Sequence, residues 1–400
     1  MNSEQAVLTT DQAGQQKHRA NVFLFLTGSV FSFVTFYSSM TILPLYVYEL
    51  GGTEFDTGVQ TTLFYLASVL MRFYFGPLTD RKGRKIPLLI GAFAFSTSSL
   101  LFIFCDSVWT LTLARIYNAI GLASFFSSGG SLMADLAPPN RVGTYIGLYR
   151  LTYVLALLAG PLLALSVIKA HSFQAWFLIS FLIGLVSLIL VCLVKTPGKS
   201  TVSESGSLSR FKTVLQEKAA YPVFMGIALT SIAYGVLLTF AVLYISKYTQ
   251  IANPGIYFTF FSLVGIAGNL GSGYLSDRFG REVIVWPSVI LIGIGVGILF
   301  FLPWVPIIFL ISSIATGIGF SGGLAALAAW LVDVTSKDNR GTVIALQEST
   351  IDTSIGLGSF VFGAMSGWMG MGGSFAIIGG AVFLLGLVKI MGRRPVPKTD

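Results

Sequence analysis

Residues 76–84 read GPLTDRKGR and residues 273–281 read GYLSDRFGR, six identities in nine positions at an offset of 197. Further along, Asp135 with Asn140 and Arg141 is answered by Asp333 with Asn339 and Arg340, at offsets of 198 and 199. Matching segments that recur in the same order and at nearly constant spacing mark an internal duplication in parallel orientation.

Around both copies the chain breaks into apolar stretches of about 20 residues or more, long enough to cross a hydrocarbon core at about 1.5 Å rise per residue. They fall near 21–48, 56–77, 86–104, 108–135, 143–168, 173–195, 221–247, 254–276, 283–302, 304–333, 342–368 and 372–391. The 400 residues are 54% hydrophobic and 10% charged, against roughly 25% charged in soluble domains. So few charges cannot cover a soluble surface. Barrel strands would alternate over about 10 residues instead. The expected fold is therefore an all-α membrane protein of about twelve transmembrane helices in two six-helix bundles. The expected divisions are a tail at 1–20, bundles at 21–195 and 221–391, a linker at 196–220 and a tail at 392–400. Within the linker, Leu208, Phe211 and Leu215 have helical spacing beside Arg210, Lys212 and Lys218, as in an interfacial amphipathic helix or a simple connector.

The net charge of +8 raises the possibility of nucleic-acid binding, and the distribution of charge decides against it. Of the 25 Lys and Arg, all but five lie on loops or tails of one side. Lys169 and Lys247 lie opposite, and Arg72, Arg115 and Arg150 lie within spans. By the positive-inside rule both termini are cytoplasmic, and the location is a bacterial-type inner membrane. Residues 1–20 are polar, so the first span is expected to stay in the mature protein. Cys105 and Cys192 fall on opposite faces and are read as packing residues. The two histidines, His18 and His171, assemble neither a metal cluster nor a triad. Gly317, Gly319 and Gly322 spell G-x-G-x-x-G inside a span without a preceding strand, which reads as helix packing. No enzyme activity, cofactor or metal is expected.

The G-x-L-x-D-R-x-G-R pattern after span 2, echoed after span 8, resembles the signature loop of the major facilitator superfamily. The resemblance implies two six-helix halves around a central cavity, acting as a monomer on a small organic solute by alternating access. It also implies a conformational latch. Asp80 would cap helix 11, Arg84 would reach Asp135, and Asp277, Arg281 and Asp333 would form the related set. Physically, Gly76 and Gly83 permit close approach and a tight turn, while Arg81 and Arg84 sit at the inner leaflet. The alternative is topology anchoring alone.

Ionisable groups inside spans usually face a partner or water. Glu348 and Asp352 stand at i and i+4 in span 11, so both carboxylates project from one face, and two like charges there favour uptake of a proton. In the family, helices 2 and 11 meet across the domain interface, so Arg72 with Glu348 forms either a gate or a static ion pair, and the deeper Asp352 is expected in the cavity. Arg115 begins RIYNAIG, which resembles the Arg motif of proton-linked members, although Asn118 and Ala119 replace Gln and Gly there. Asp352, Glu348 and Arg115 are thus the proton-coupling candidates. Asn118 shares the Arg115 face. Gly160-Pro161 resembles the core of an exporter motif whose following Gly-Gly pair is absent here. Arg150 occupies the repeat position equivalent to Glu348 and could meet an anionic solute group. Helices 1, 4, 7 and 10 line the family's cavity, which makes Phe31, Thr35, Ser38 and Tyr234 the expected aromatic and hydroxyl surface. The expected function is proton-coupled efflux of a drug or metabolite. Proton-coupled uptake, facilitated diffusion, lipid flipping and a non-transporting sensor are the alternatives.

Overall fold

In a bilayer each backbone N–H and C=O must find its partner inside the segment, which leaves helices as the form for apolar stretches of this length. Among the described residues every regular element is helical. The computed structural model describes residues 3–138, 140–196, 217–336 and 340–392, without the side chains of residues 3–15, 80, 81, 340 and 341.

The first six passes are α1 (Ser3–Glu49), α2 (Glu54–Lys82), α3 (Lys85–Ile103), α4 (Val108–Gly121, a π turn Leu122–Phe126, then Ser127–Leu136), α5 (Val142–Ala170) and α6 (Phe173–Leu193). After the short turn Lys218–Ala220 come α7 (Tyr221–Tyr248), α8 (Ile256–Phe279), α9 (Arg281–Gly297) and α10 (Ile308–Asp333). The last helical stretch, Arg340–Met391, consists of two helices that meet at Gly370, where φ is +72°; 340–369 is α11 and 371–391 is α12.

Nine described helices are long and apolar enough to span a membrane. The difference from twelve stretches has three causes. The middle of α2 carries Gln60, Thr61, Ser68 and Arg72, α4 is interrupted by its π turn, and α11 and α12 meet at Gly370 with no loop between them. The first helix also begins at Ser3, well inside the stretch read as a polar tail. The linker with Leu208, Phe211 and Leu215 falls outside the described residues.

Local sequence explains the turns. Thr53 and Asp56 form a capping box at the start of α2, as do Ser107 and Thr110 at the start of α4, satisfying first-turn N–H groups. Gly83 and Gly280, the equivalent glycines of the two signature loops, take φ of +86° and +94°, a region that favours glycine.

Between helices, small residues replace the hydrophobic effect as the means of association. Ser32 and Ser187 join α1 to α6 at 2.6 Å, and Ser99 and Ser180 join α3 to α6 at 2.9 Å. The G-x-G-x-x-G stretch of α10 is a packing surface. A Cβ on Gly317 would lie 2.4 Å from the Phe261 carbonyl of α8, and one on Gly319 would lie 2.8 Å from the Ser288 carbonyl of α9. Because these contacts are backbone, Gly317→Val is expected to cost at least about 1–3 kcal/mol, read as a lower midpoint of thermal unfolding. Cys105 is buried and Cys192 exposed, both as free thiols.

Candidate functional site

The site lies where the first six helices meet the last six. At the ends remote from the signature loops this interface is shut. Thr62 of α2 donates to the Gly356 carbonyl of α11 at 2.8 Å, and Lys247 of α7 reaches Glu54 at 3.3 Å. A Cβ on Gly58 would stand 2.6 Å from the Ser359 carbonyl, and one on Gly363 would stand 2.6 Å from the Glu54 carbonyl. On the other seam Thr259 of α8 donates to Leu158 of α5 at 3.0 Å, while Asn253 donates to Leu162 at 2.9 Å. Toward the signature loops the same helices part. Gly76 on α2, Gly143 and Gly147 on α5, and Gly271 and Gly273 on α8 have nothing within 4 Å of where a Cβ would sit.

At mid-depth on the α2–α11 seam lies an ion pair. Arg72 Nη2 meets Asp352 Oδ2 at 2.8 Å, with side chains 12% and 6% exposed, and the Ser68 hydroxyl donates to the same carboxylate at 3.4 Å. Glu348, the partner expected for Arg72, stands 3.9 Å from Nη1 and is 42% exposed. The two carboxylates share a face one turn apart, and the guanidinium settles on the deeper, better enclosed one. Asp352, expected in the cavity, is paired across the seam with Arg72.

Arg115 is 1% exposed and has no carboxylate within salt-bridge distance among the described residues. Its Nη2 meets the Met40 sulfur of α1 at 3.1 Å, its guanidinium carbon lies 5.0 Å from the centre of the Phe64 ring, and Nε and Nη1 have no partner. Asn118 was expected beside it in the cavity. Its amide instead donates to Ser98 of α3 at 2.5 Å, because a three-residue step falls about 60° short of a full turn and carries the side chain from the α2 side toward α3.

Thr35 and Ser38 also differ from expectation. Both are buried, Thr35 donates to the Ser32 carbonyl at 2.7 Å, and Ser38 donates to the Thr35 carbonyl at 3.2 Å. Hydroxyls on a helix in apolar surroundings bond back to their own backbone, so neither is presented to a solute. Phe31 is half-buried. Tyr234 is buried and stacks on Phe320 with ring centres 3.9 Å apart. Arg150 is exposed on α5.

Both loop arginines pair within their own half. Arg84 Nε donates to Asp135 at 3.0 Å, and Arg281 Nε to Asp333 at 2.8 Å, with Asp277 also on Arg281. The side chains of Asp80 and Arg81 lie outside the described set. Sequence reading missed Met40, Gln60, Phe64, Tyr65 and Ser68. The available signal was on α2, where residues 60, 61, 64, 68 and 72 recur at three- and four-residue spacing and mix polar with aromatic side chains.

Comparison with known proteins agrees with this architecture. The Major Facilitator Superfamily matches residues 25–253 and again residues 223–400. The chain belongs to that superfamily. It is thus a transporter and an integral membrane protein. Similar relatives include the multidrug resistance protein MdtG of Citrobacter koseri, 27% identical over 379 residues and 90% of each chain, and that of Escherichia coli, 25% identical over 395 residues and 94% of each. Among solved structures, a bacterial homologue of the human lysosomal transporter Spinster, inward-facing and unoccupied, has a TM-score of 0.76 at 18% identity, covering 95% of this chain and 99% of that one. A POT family transporter in complex with 5-aminolevulinic acid has a TM-score of 0.79 at 12% identity, covering 92% and 95%. These structural likenesses show the fold.

Proposed function

We propose that this superfamily member is a secondary active exporter that expels small organic solutes in exchange for protons, with Asp352 as the proton carrier and Arg72 as its partner. The Arg72–Asp352 pair at 2.8 Å carries the reading. It is largely buried and joins one half of the protein to the other. While Asp352 is ionised the pair holds the α2–α11 seam. Protonation removes the charge on Asp352 and loosens Arg72, and Glu348 at 3.9 Å is then the second acceptor. One proton would so bias which end of the interface closes.

The basic loops support a cytoplasmic location for the open end. An exporter loads its solute in that state, with Asp352 deprotonated. Half-buried Tyr37, Phe126 and Tyr153 suit an apolar solute body, and the names of the MdtG relatives support efflux. The latch pairs Arg84–Asp135 and Arg281–Asp333 would keep the turn after α2 with α4 and the start of α9 with α10 as each half rocks.

The test uses everted membrane vesicles with an acid interior reported by a quenched dye, challenged with organic cations, anions and neutral amphiphiles. Dissipation of the gradient as solute enters the vesicles is expected. Solute moving with the protons would establish symport. Solute equilibration without any effect on the gradient would reduce the protein to a facilitator.

A further inference from the structure

Two enclosed arginines and two enclosed or half-buried carboxylates lie near the interface, and the pairing is lopsided. Arg72 holds Asp352 and stands beside Glu348, which leaves Arg115 with a thioether and a ring face. Neither neutralises a guanidinium. A buried charge without a counter-charge costs several kcal/mol even after relaxation, so such a residue in a transporter interior points to a partner that comes and goes.

The surroundings match an anion. Arg115 keeps Nε and Nη1 free of acceptors, and Gln60 and Thr61, both at most 2% exposed, have side-chain polar atoms with no partner. Those two residues share the α2 face of Phe64, one turn nearer the shut end of the interface. They add N–H and O–H donors on the side of α2 from which Phe64 reaches Arg115, and the guanidinium fork suits a planar carboxylate or a sulfonate. Asn118 leaves its Oδ1 unpartnered one turn along α4. The cover is Met40, whose sulfur touches Arg115 at 3.1 Å and receives the Tyr65 hydroxyl at 4.0 Å. An unbranched thioether changes rotamer at little cost. Toward the open end, Tyr37 packs on Phe36 at 4.9 Å and Phe126 on Tyr153 at 5.9 Å, an aromatic approach for an apolar body.

We propose that Arg115, with Gln60 and Thr61, binds the acidic group of the transported solute, an organic carboxylate or sulfonate with an apolar body, once Met40 moves aside. This names the solute class for the exporter reading above and rests on that reading. Sulfur and ring contacts then hold Arg115 between cycles, and the solute's acid displaces them.

The experiment measures thermal unfolding of the full chain in lipid nanodiscs at constant ionic strength and without a proton gradient. The additives are benzenesulfonate and benzoate, their uncharged relative benzamide, their cationic relative benzamidine, and inorganic sulfate. Benzenesulfonate and benzoate are expected to raise the midpoint saturably, and the other three are not. Arg115→Gln should weaken the apparent affinity for benzenesulfonate by roughly 10- to 100-fold, since hydrogen bonds to a charged group contribute about 1.5–3 kcal/mol. Arg115→Lys should fall between, keeping the charge and losing the fork. The assignment is overturned if benzamide or benzamidine stabilises as well as the oxyanions, if no oxyanion stabilises, if sulfate alone matches benzenesulfonate, or if Arg115→Gln binds unchanged. Where Arg115→Gln does not fold, Arg115→Lys carries the test, and an unchanged affinity for benzenesulfonate in it overturns the assignment. No gradient is involved, so a failure of proton coupling would appear in the vesicle test and leave this result standing.

Discussion

Asp352→Asn is expected to abolish solute-driven collapse of a proton gradient in everted vesicles, at matched expression. The amide keeps the shape of the side chain and cannot carry a proton, so solute movement loses its link to the gradient. A second effect accompanies the first. Removing one partner of a buried ion pair costs about 3–5 kcal/mol because the other charge is left uncompensated. Arg72 is 12% exposed, and Glu348 at 3.9 Å offers only partial relief. The thermal midpoint of Asp352→Asn should therefore fall. Arg72→Gln combined with Asp352→Asn removes both charges and should recover most of that loss, since the two sites are coupled and their effects do not add. Counterflow of labelled solute, which needs no gradient, should persist in the double variant, while gradient collapse stays absent. An Asp352→Asn protein that still dissipated the gradient at the wild-type rate would remove Asp352 from the coupling role.

The fold was legible in the sequence because the bilayer leaves few choices. Twelve apolar stretches, a repeated loop and one-sided basic residues point to a single architecture, and the signature glycines Gly83 and Gly280 take the positive φ that a tight turn requires. The site was less legible, for reasons visible at particular residues. A serine or threonine on a cavity helix looks like a solute ligand, yet Thr35 and Ser38 bond to their own backbone. Helical spacing put Glu348 and Asp352 on one face, and only the three-dimensional reach of Arg72 chose the deeper one. Met40 and Phe64 carry no polar signal. In a chain with 33 Phe and 9 Met, nothing in their types separates a contact on Arg115 from lipid-facing or packing residues.

The closed end of the interface yields the second large prediction. Gly58→Leu is expected to lower transport tenfold or more without unfolding the protein. The Cβ would sit 2.6 Å from the Ser359 carbonyl and 3.3 Å from the Gly363 Cα, and backbone atoms cannot turn away as a side chain can. The leucine therefore acts against one conformation. Overpacking of about 1–3 kcal/mol placed on one of two states shifts their ratio by roughly 5- to 150-fold. Under the proposed exchange the favoured state is the one shut on the signature-loop side. A reporter there is Gly273→Cys, in a Cys192→Ser background, because nothing lies within 4 Å of the Gly273 Cβ position. Its reaction with an impermeant thiol reagent in everted vesicles should slow in Gly58→Leu. Gly76→Leu gives the opposing case. Gly76 is likewise free of neighbours within 4 Å, so the larger side chain fits the present conformation and obstructs closure of the other end. Both variants should fail in transport, with Gly273→Cys labelling slowed in the first and undiminished in the second. Equal labelling in the two would mean that the glycine contacts between α2 and α11 do not set the balance between the states.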